Sequence, residues 1–85
     1  MKDTRISLIG IIVSDRASTT QLNSLLHEYG EYIVGRMGVP YKDRGINVIS
    51  IIVDAHPDII SSLSGKLGQL PHISTKTIYP PIPKE

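Results

Sequence analysis

Three histidines, no cysteine and an arginine set between two glycines bound the chemistry open to this chain. Without cysteine there is no disulfide, no thiolate metal site and no thiol nucleophile. His27 falls about 140° around a helical repeat from Leu22, on its polar side beside Thr20 and Asn23. His56 and His72 flank a second helical stretch that separates them by roughly 20 Å, so they cannot share one metal ion within a chain. They read as capping and surface residues, or else as metal ligands meeting across a subunit interface. Arg36, between Gly35 and Gly38, could grip a carboxylate or phosphate because nothing bulky blocks its guanidinium. The plain alternative is an intersubunit ion pair or a solvated arginine. The segment Asp15, Arg16, Ala17, Ser18 precedes a helix, where free backbone N–H groups could hold an anion. Capping explains it equally well. Arg36, Tyr41 and Lys66, with Asp15, Arg16 and Ser18, are therefore the candidate ligand contacts.

The rest of the polar chemistry is thin. Ser64-Gly65-Lys66-Leu67-Gly68 lacks the first glycine of a phosphate loop, where Ile60 stands, and the hydroxyl after the lysine, where Leu67 stands. No nucleophile, base and oxyanion donors assemble, and no carboxylate pair stands out. The expectation is a protein that is not an enzyme, with no cofactor and no metal site of its own. Gly65 is odd, because a glycine inside a helix costs about 1 kcal/mol relative to alanine. A close neighbour, such as a partner's backbone or a ligand, would explain it; the plain alternative is that the helix simply tolerates the glycine.

The elements that carry these residues follow from hydrophobic period. Ile6–Val13 and Ile46–Val53 are apolar on both alternate sets, as in strands covered on both sides. Ser18 with Gln21 matches a capping box, with Asp15 as a second N-cap candidate. Leu22, Leu25, Leu26 and Tyr29 then form a helical stripe, closed by Gly30 as a left-handed cap. Glu31–Val39 reads as a strand interrupted by Gly35 and Gly38, marking a bulge or a close approach, and Pro40–Gly45 as a turn. Pro57 opens a second helix whose apolar arc is Ile59, Ile60, Leu63, Leu67 and Leu70. His72–Tyr79 is a last strand, with Lys76 suited to an outer position.

The order β-α-β-β-α-β predicts an α+β, ferredoxin-like sandwich: a four-stranded antiparallel sheet with two helices on one face. It places the two doubly apolar strands at the centre, read as parallel to each other. Which alternate set meets the helices stays open. Residues 1–79 form the single domain and residues 80–85 a proline-rich tail. Two helices cover one face only, so the open face is expected to be buried by another copy, as a dimer or tetramer.

Composition narrows the partners. Nine basic and eight acidic residues give a net charge of +1, which argues against direct nucleic-acid binding. No run approaches the roughly 20 apolar residues of a membrane helix. The start MKDTR and the apolar run after it resemble a signal peptide, but Ser14-Asp15-Arg16 makes a poor cleavage site. A small chain without cysteine fits a reducing compartment, so the expected location is cytoplasmic.

The strings Gly35-Arg-Met-Gly-Val-Pro-Tyr41, Arg44-Gly45-Ile46, Leu63-Ser-Gly-Lys-Leu-Gly68 and Ser74-Thr-Lys-Thr77 resemble the iron-only hydrogenase system regulators, small ACT-like proteins, from about Thr4 to Tyr79. The resemblance implies an ACT-like domain, association by sheet or edge, and a regulatory role. Its expected partners are a small ligand or a hydrogenase-maturation protein. Other readings are an assembly module without a small ligand, or a metal sensor using His56 and His72 across an interface. The fold is also similar to the C-terminal domain of nickel-responsive repressors. With no cysteine and no histidine in the middle strands, nickel sensing is not carried over, and with no ribbon-helix-helix segment before the sheet, neither is direct DNA binding.

Overall fold

The computed structural model describes residues 4–81. Residues 1–3 of the expected domain and 82–85 of the proline-rich tail lie outside the described residues. The chain runs β1 (Arg5–Val13), a 3-10 turn (Arg16–Ser18), α1 (Thr19–Glu28), a second 3-10 turn (Gly30–Tyr32) and β2 (Ile33–Tyr41). A third 3-10 turn (Lys42–Arg44) leads to β3 (Ile46–Ala55), α2 (Pro57–Gly68) and β4 (Ile73–Ile78). The strand order is β2-β3-β1-β4, and every neighbouring pair is antiparallel. This is the α+β, ferredoxin-like arrangement, with β1 and β3 at the centre.

The expectation that β1 and β3 are parallel is wrong. Each runs antiparallel to the other, with Ile9 opposite Ile51. A crossover helix returns the chain parallel to the strand it left, but in a split unit one strand lies between the two. β1 is therefore parallel to β2, with β3 separating them.

The choice of face is now fixed. Ile9, Ile11 and Val13 of β1 and Ile49, Ile51, Val53 and Ala55 of β3 are buried toward the helices. They pack on Leu22, Leu25, Leu26 and Tyr29 of α1 and on Ile60, Leu63 and Leu67 of α2, so both helical stripes are used as their spacing predicts. The other alternate set (Ile6, Leu8, Ile12, Ile46, Val48, Ile52) belongs to the open face.

Helix ends differ from expectation in instructive ways. Ser18 stands at the N-cap of α1 but makes no side-chain cap bond, so no capping box with Gln21 forms. Its Oγ donates instead to the carbonyl of Pro71 at 2.6 Å. Asp15 caps the preceding 3-10 turn, Oδ1 accepting from Ala17 N at 2.9 Å. Gly30 is not left-handed; α1 closes at Tyr29 and Gly30 begins the next turn. Pro57 does sit in the first turn of α2, where His56 Nδ1 accepts from Asp58 N at 3.2 Å.

β2 runs two residues further than its sequence pattern indicates, through Pro40 and Tyr41. Pro40 is tolerated because β2 is an outer strand, where a missing N–H breaks no ladder on the free side. The expected irregularity is present: the pairing slips between Ile33 and Gly35, leaving Val34 as the extra residue. Gly45, at φ 66°, takes the left-handed turn into β3, a conformation with little cost only for glycine.

Candidate functional site

The six candidate contact residues fall in four places. Lys66 lies on α2, its Nζ 3.5 Å from Glu28 Oε2 and 5.2 Å from the centre of the Tyr29 ring. The Tyr29 hydroxyl is 2.8 Å from Ser62 Oγ. That bond first, and the Lys66 ammonium second, hold the Tyr29 phenol below its usual pKa. Lys66 is raised in turn, chiefly by its hydrogen bond to Tyr29 and then by the charge of Glu28. This is a clasp between the two helices on the side remote from the open sheet face. Gly65 beside it has no atom within 4 Å of an added Cβ, so no close neighbour within the described residues accounts for it.

Arg36 points to the helix side of β2, opposite Ile51, and its Nη2 donates to Asn23 Oδ1 at 2.7 Å. Tyr41, on the same strand, belongs to the open side opposite Ile46. The structure thus separates Arg36, Tyr41 and Lys66. Asp15 and Ser18 are taken up by the loop itself: Asp15 Oδ2 lies 3.7 Å from His72 Nε2, besides capping Ala17, and Ser18 is bound to Pro71. Arg16 of that loop lines a cavity together with Lys42 and Asn47. His56 and His72 stand at opposite ends of α2, each with one carboxylate at 3.7 Å. Among the described residues, no three histidine or carboxylate side chains group as a metal site would require.

The most extensive feature is the open sheet face. Seven large apolar side chains are exposed on it: Ile12, Met37, Val39, Tyr41, Val48, Ile52 and Ile78. Three cross-strand rows organise its middle. Ile78, Leu8, Ile52 and Gly35 form one; Lys76, Gly10, Ser50 and Met37 the next; Ser74, Ile12, Val48 and Val39 the third. The central row is low at Gly10 and Ser50, leaving adjoining hollows of about 370 and 290 Å³ between apolar walls. At one end of that row stands Met37, 67% exposed. The strands place only two charged residues on this face, Lys76 on outer strand β4 and Asp54 near the end of β3. The alternation in β1 and β3 marks both faces as apolar; the sequence signal for the hollow is Gly10, a lone glycine in an apolar strand.

Fold and site together define a small ferredoxin-like domain with one covered and one bare apolar sheet face. Residues 5–77 match the family model described as "TM1266-like: Iron-only hydrogenase system regulator, putative", and the chain belongs to that family. The solved structure of the uncharacterized protein TM1266 from Thermotoga maritima is similar, with a TM-score of 0.86 and 32% identity over 89% of this chain and 96% of that one. None of the curated proteins matches the chain. The family description is of a regulatory protein. Among the described residues no helix is long and apolar enough to cross a membrane.

Proposed function

We propose that this chain is a non-enzymatic, cytoplasmic regulator of the iron-only hydrogenase system that works as a homo-oligomer, with open sheet faces packed together. The family supports the regulatory role. The observation that carries the assembly is the row of exposed Ile12, Met37, Val39, Val48, Ile52 and Ile78 on a single face. A contiguous apolar patch of this extent is at the upper end of what monomers leave bare, and such patches often mark interaction sites. Four strands about 4.8 Å apart and some 20–30 Å long give a footprint of roughly 400–600 Å². Allowing for side-chain relief, that approaches the ~800 Å² per partner of a stable interface. The charges agree with self-pairing, since Lys76 and Asp54 lie toward the margins and are opposite in sign.

Sedimentation at micromolar concentration tests the assembly. A mass of two or more chains is expected for the wild type and a single-chain mass for Val48→Asp, which places a carboxylate at the centre of the face. A single-chain mass for the wild type would overturn it. The regulatory half is tested by deleting the gene in a host with an iron-only hydrogenase; unchanged hydrogenase activity and maturation would refute it.

A further inference from the structure

We propose that the groove between the start of α1 and outer strand β2 binds a small anionic ligand carrying carboxylate or phosphate oxygens, through Arg16, Arg36 and Lys42. The groove is on the helix side of the sheet, so the inference stands apart from the open face.

Two cavities of about 250 and 210 Å³ meet there, sharing Pro40 and Asn47 as a common wall. Arg16 and Lys42 line the first, Thr19 and Arg36 the second. Three cations thus border these two neighbouring cavities, and no carboxylate lines either of them. Among the described residues none of the three is in an ion pair. Of the acids adjacent in sequence, Asp15 is turned away to Ala17 N and His72, and Asp43, beside Lys42, lines neither cavity. Like charges gathered without counter-charge repel one another, and an anion relieves that repulsion.

Two further observations point the same way. The Thr19 hydroxyl is buried without a hydrogen-bond partner. A buried hydroxyl left unpaired costs free energy, and a rotation about χ1 that turns it to a bound oxyanion would satisfy it. Arg36 is held in place by its 2.7 Å bond to Asn23, which leaves the rest of its fork free for a second acceptor. The floor is apolar, with Val13, Ile46 and Ile49, so the ligand is an anion on a short aliphatic or similarly small body rather than a bulky nucleotide.

Titration of the full-length protein with inorganic phosphate and with succinate, at fixed ionic strength against chloride, tests this by calorimetry and amide chemical shifts. The expected result is saturable binding of at least one probe at a Kd of about 1 mM or tighter. Shifts should concentrate at Thr19, Gly38 and Asn47. Preference for phosphate assigns the ligand to phosphate esters, preference for succinate to carboxylic acids. Arg36→Gln and Lys42→Gln, both exposed positions, should each weaken binding about tenfold or more, the loss expected of a charge-assisted bond. Gly38→Val should block the groove without changing charge, since an added Cβ meets only Ile49 Cγ1 at 3.6 Å and Val48 O at 4.0 Å. No saturable binding of either probe would overturn the proposal, as would binding that these variants leave unchanged.

Discussion

Ser18 Oγ donates a hydrogen bond to the carbonyl oxygen of Pro71 at 2.6 Å, joining the loop after β1 to the loop before β4. Ser14 reinforces the same junction, its N and Oγ both donating to the His72 carbonyl, at 2.9 and 3.2 Å. His72 holds the left-handed conformation that presents this carbonyl, at φ 60°. The serine that looks like the start of a capping box is thus a tertiary tie, and the helix start is closed instead by the preceding 3-10 turn, with Asp15 as its cap.

A donor is what this tie requires, so Ser18→Ala should lower stability by about 1–2 kcal/mol. In a chain of this size that is a fall in Tm of roughly 5–10 °C. Ser18→Asp separates the two roles. Aspartate is among the best N-cap residues, but its carboxylate cannot donate to Pro71 and would be placed where Ser18 is 2% exposed. Melting is expected to show Ser18→Asp below Ser18→Ala; a variant as stable as wild type would mean that capping is the role of the position.

The Tyr29 phenol should ionise below its usual 10.0, because Ser62 and then Lys66 favour the phenolate. Its contribution to stability is therefore present above pH 10 and lost as pH falls through the folded-state value. Lys66, raised above 10.5, behaves in the opposite sense: its contribution is present below that value and lost as pH rises through the folded-state one. Carbon-13 labelling at tyrosine Cζ resolves Tyr29 from the other tyrosines. Ser62→Ala should return its titration toward 10 by more than Lys66→Met does; no movement with either variant would dissolve the clasp.

Gly65→Ala should raise stability by about 0.5–1 kcal/mol, since the residue is inside α2 and an added methyl meets open space. Chemical denaturation measures this directly. A loss of stability that appears only at concentrations where the chain associates would instead reveal a partner's backbone against Gly65.

How much of this was legible follows the range of the forces involved. The alternate sets in Ile6–Val13 and the stripe Leu22, Leu25, Leu26, Tyr29 are local patterns, and local patterns survive in one dimension. They sufficed for the element order and hence for the two central strands. Whether Ile9 or Leu8 faces the helices depends on how whole layers pack, and alternation is silent on it. Ser18 meets Pro71 across 53 residues, a pairing no local motif encodes. Arg36 and Arg16 were singled out separately from their types and neighbours. That they border the same groove, with Lys42, required the register of β2, which the bulge at Val34 shifts by one residue.

Two buried hydroxyls in the sheet have no partner, Ser7 Oγ and Thr75 Oγ1. Ser7 is fully buried on the helix side of β1, opposite Val53. Such a group costs about 1–3 kcal/mol on the scale of protein mutations. Ser7→Ala, and the near-isosteric Thr75→Val, should each raise Tm by several degrees, at about 1 kcal/mol apiece. A lower Tm for both would show that each hydroxyl has a bonding partner in solution.

The open face carries both parts of a knob and hollow in one cross-strand row: Met37 at its β2 end, Gly10 and Ser50 in the middle. If two copies pack about an axis along the strands and close to β3, each Met37 enters the other's hollow and Lys76 is carried to the rim. Methionine suits this, being flexible enough to fill an irregular gap. Gly10→Leu should then weaken association at least tenfold, because its side chain fills the hollow. The monomer should keep its fold, since a Cβ at Gly10 meets no atom within 4 Å. Met37→Ala removes the knob and should weaken association less. Combined with Gly10→Leu it should recover part of the loss, because the shortened knob no longer collides with the filled hollow. Sedimentation and circular dichroism on the four proteins separate the outcomes. A monomeric wild type removes the assembly itself; an oligomer indifferent to Gly10→Leu leaves the assembly standing and places its contacts elsewhere on the sheet.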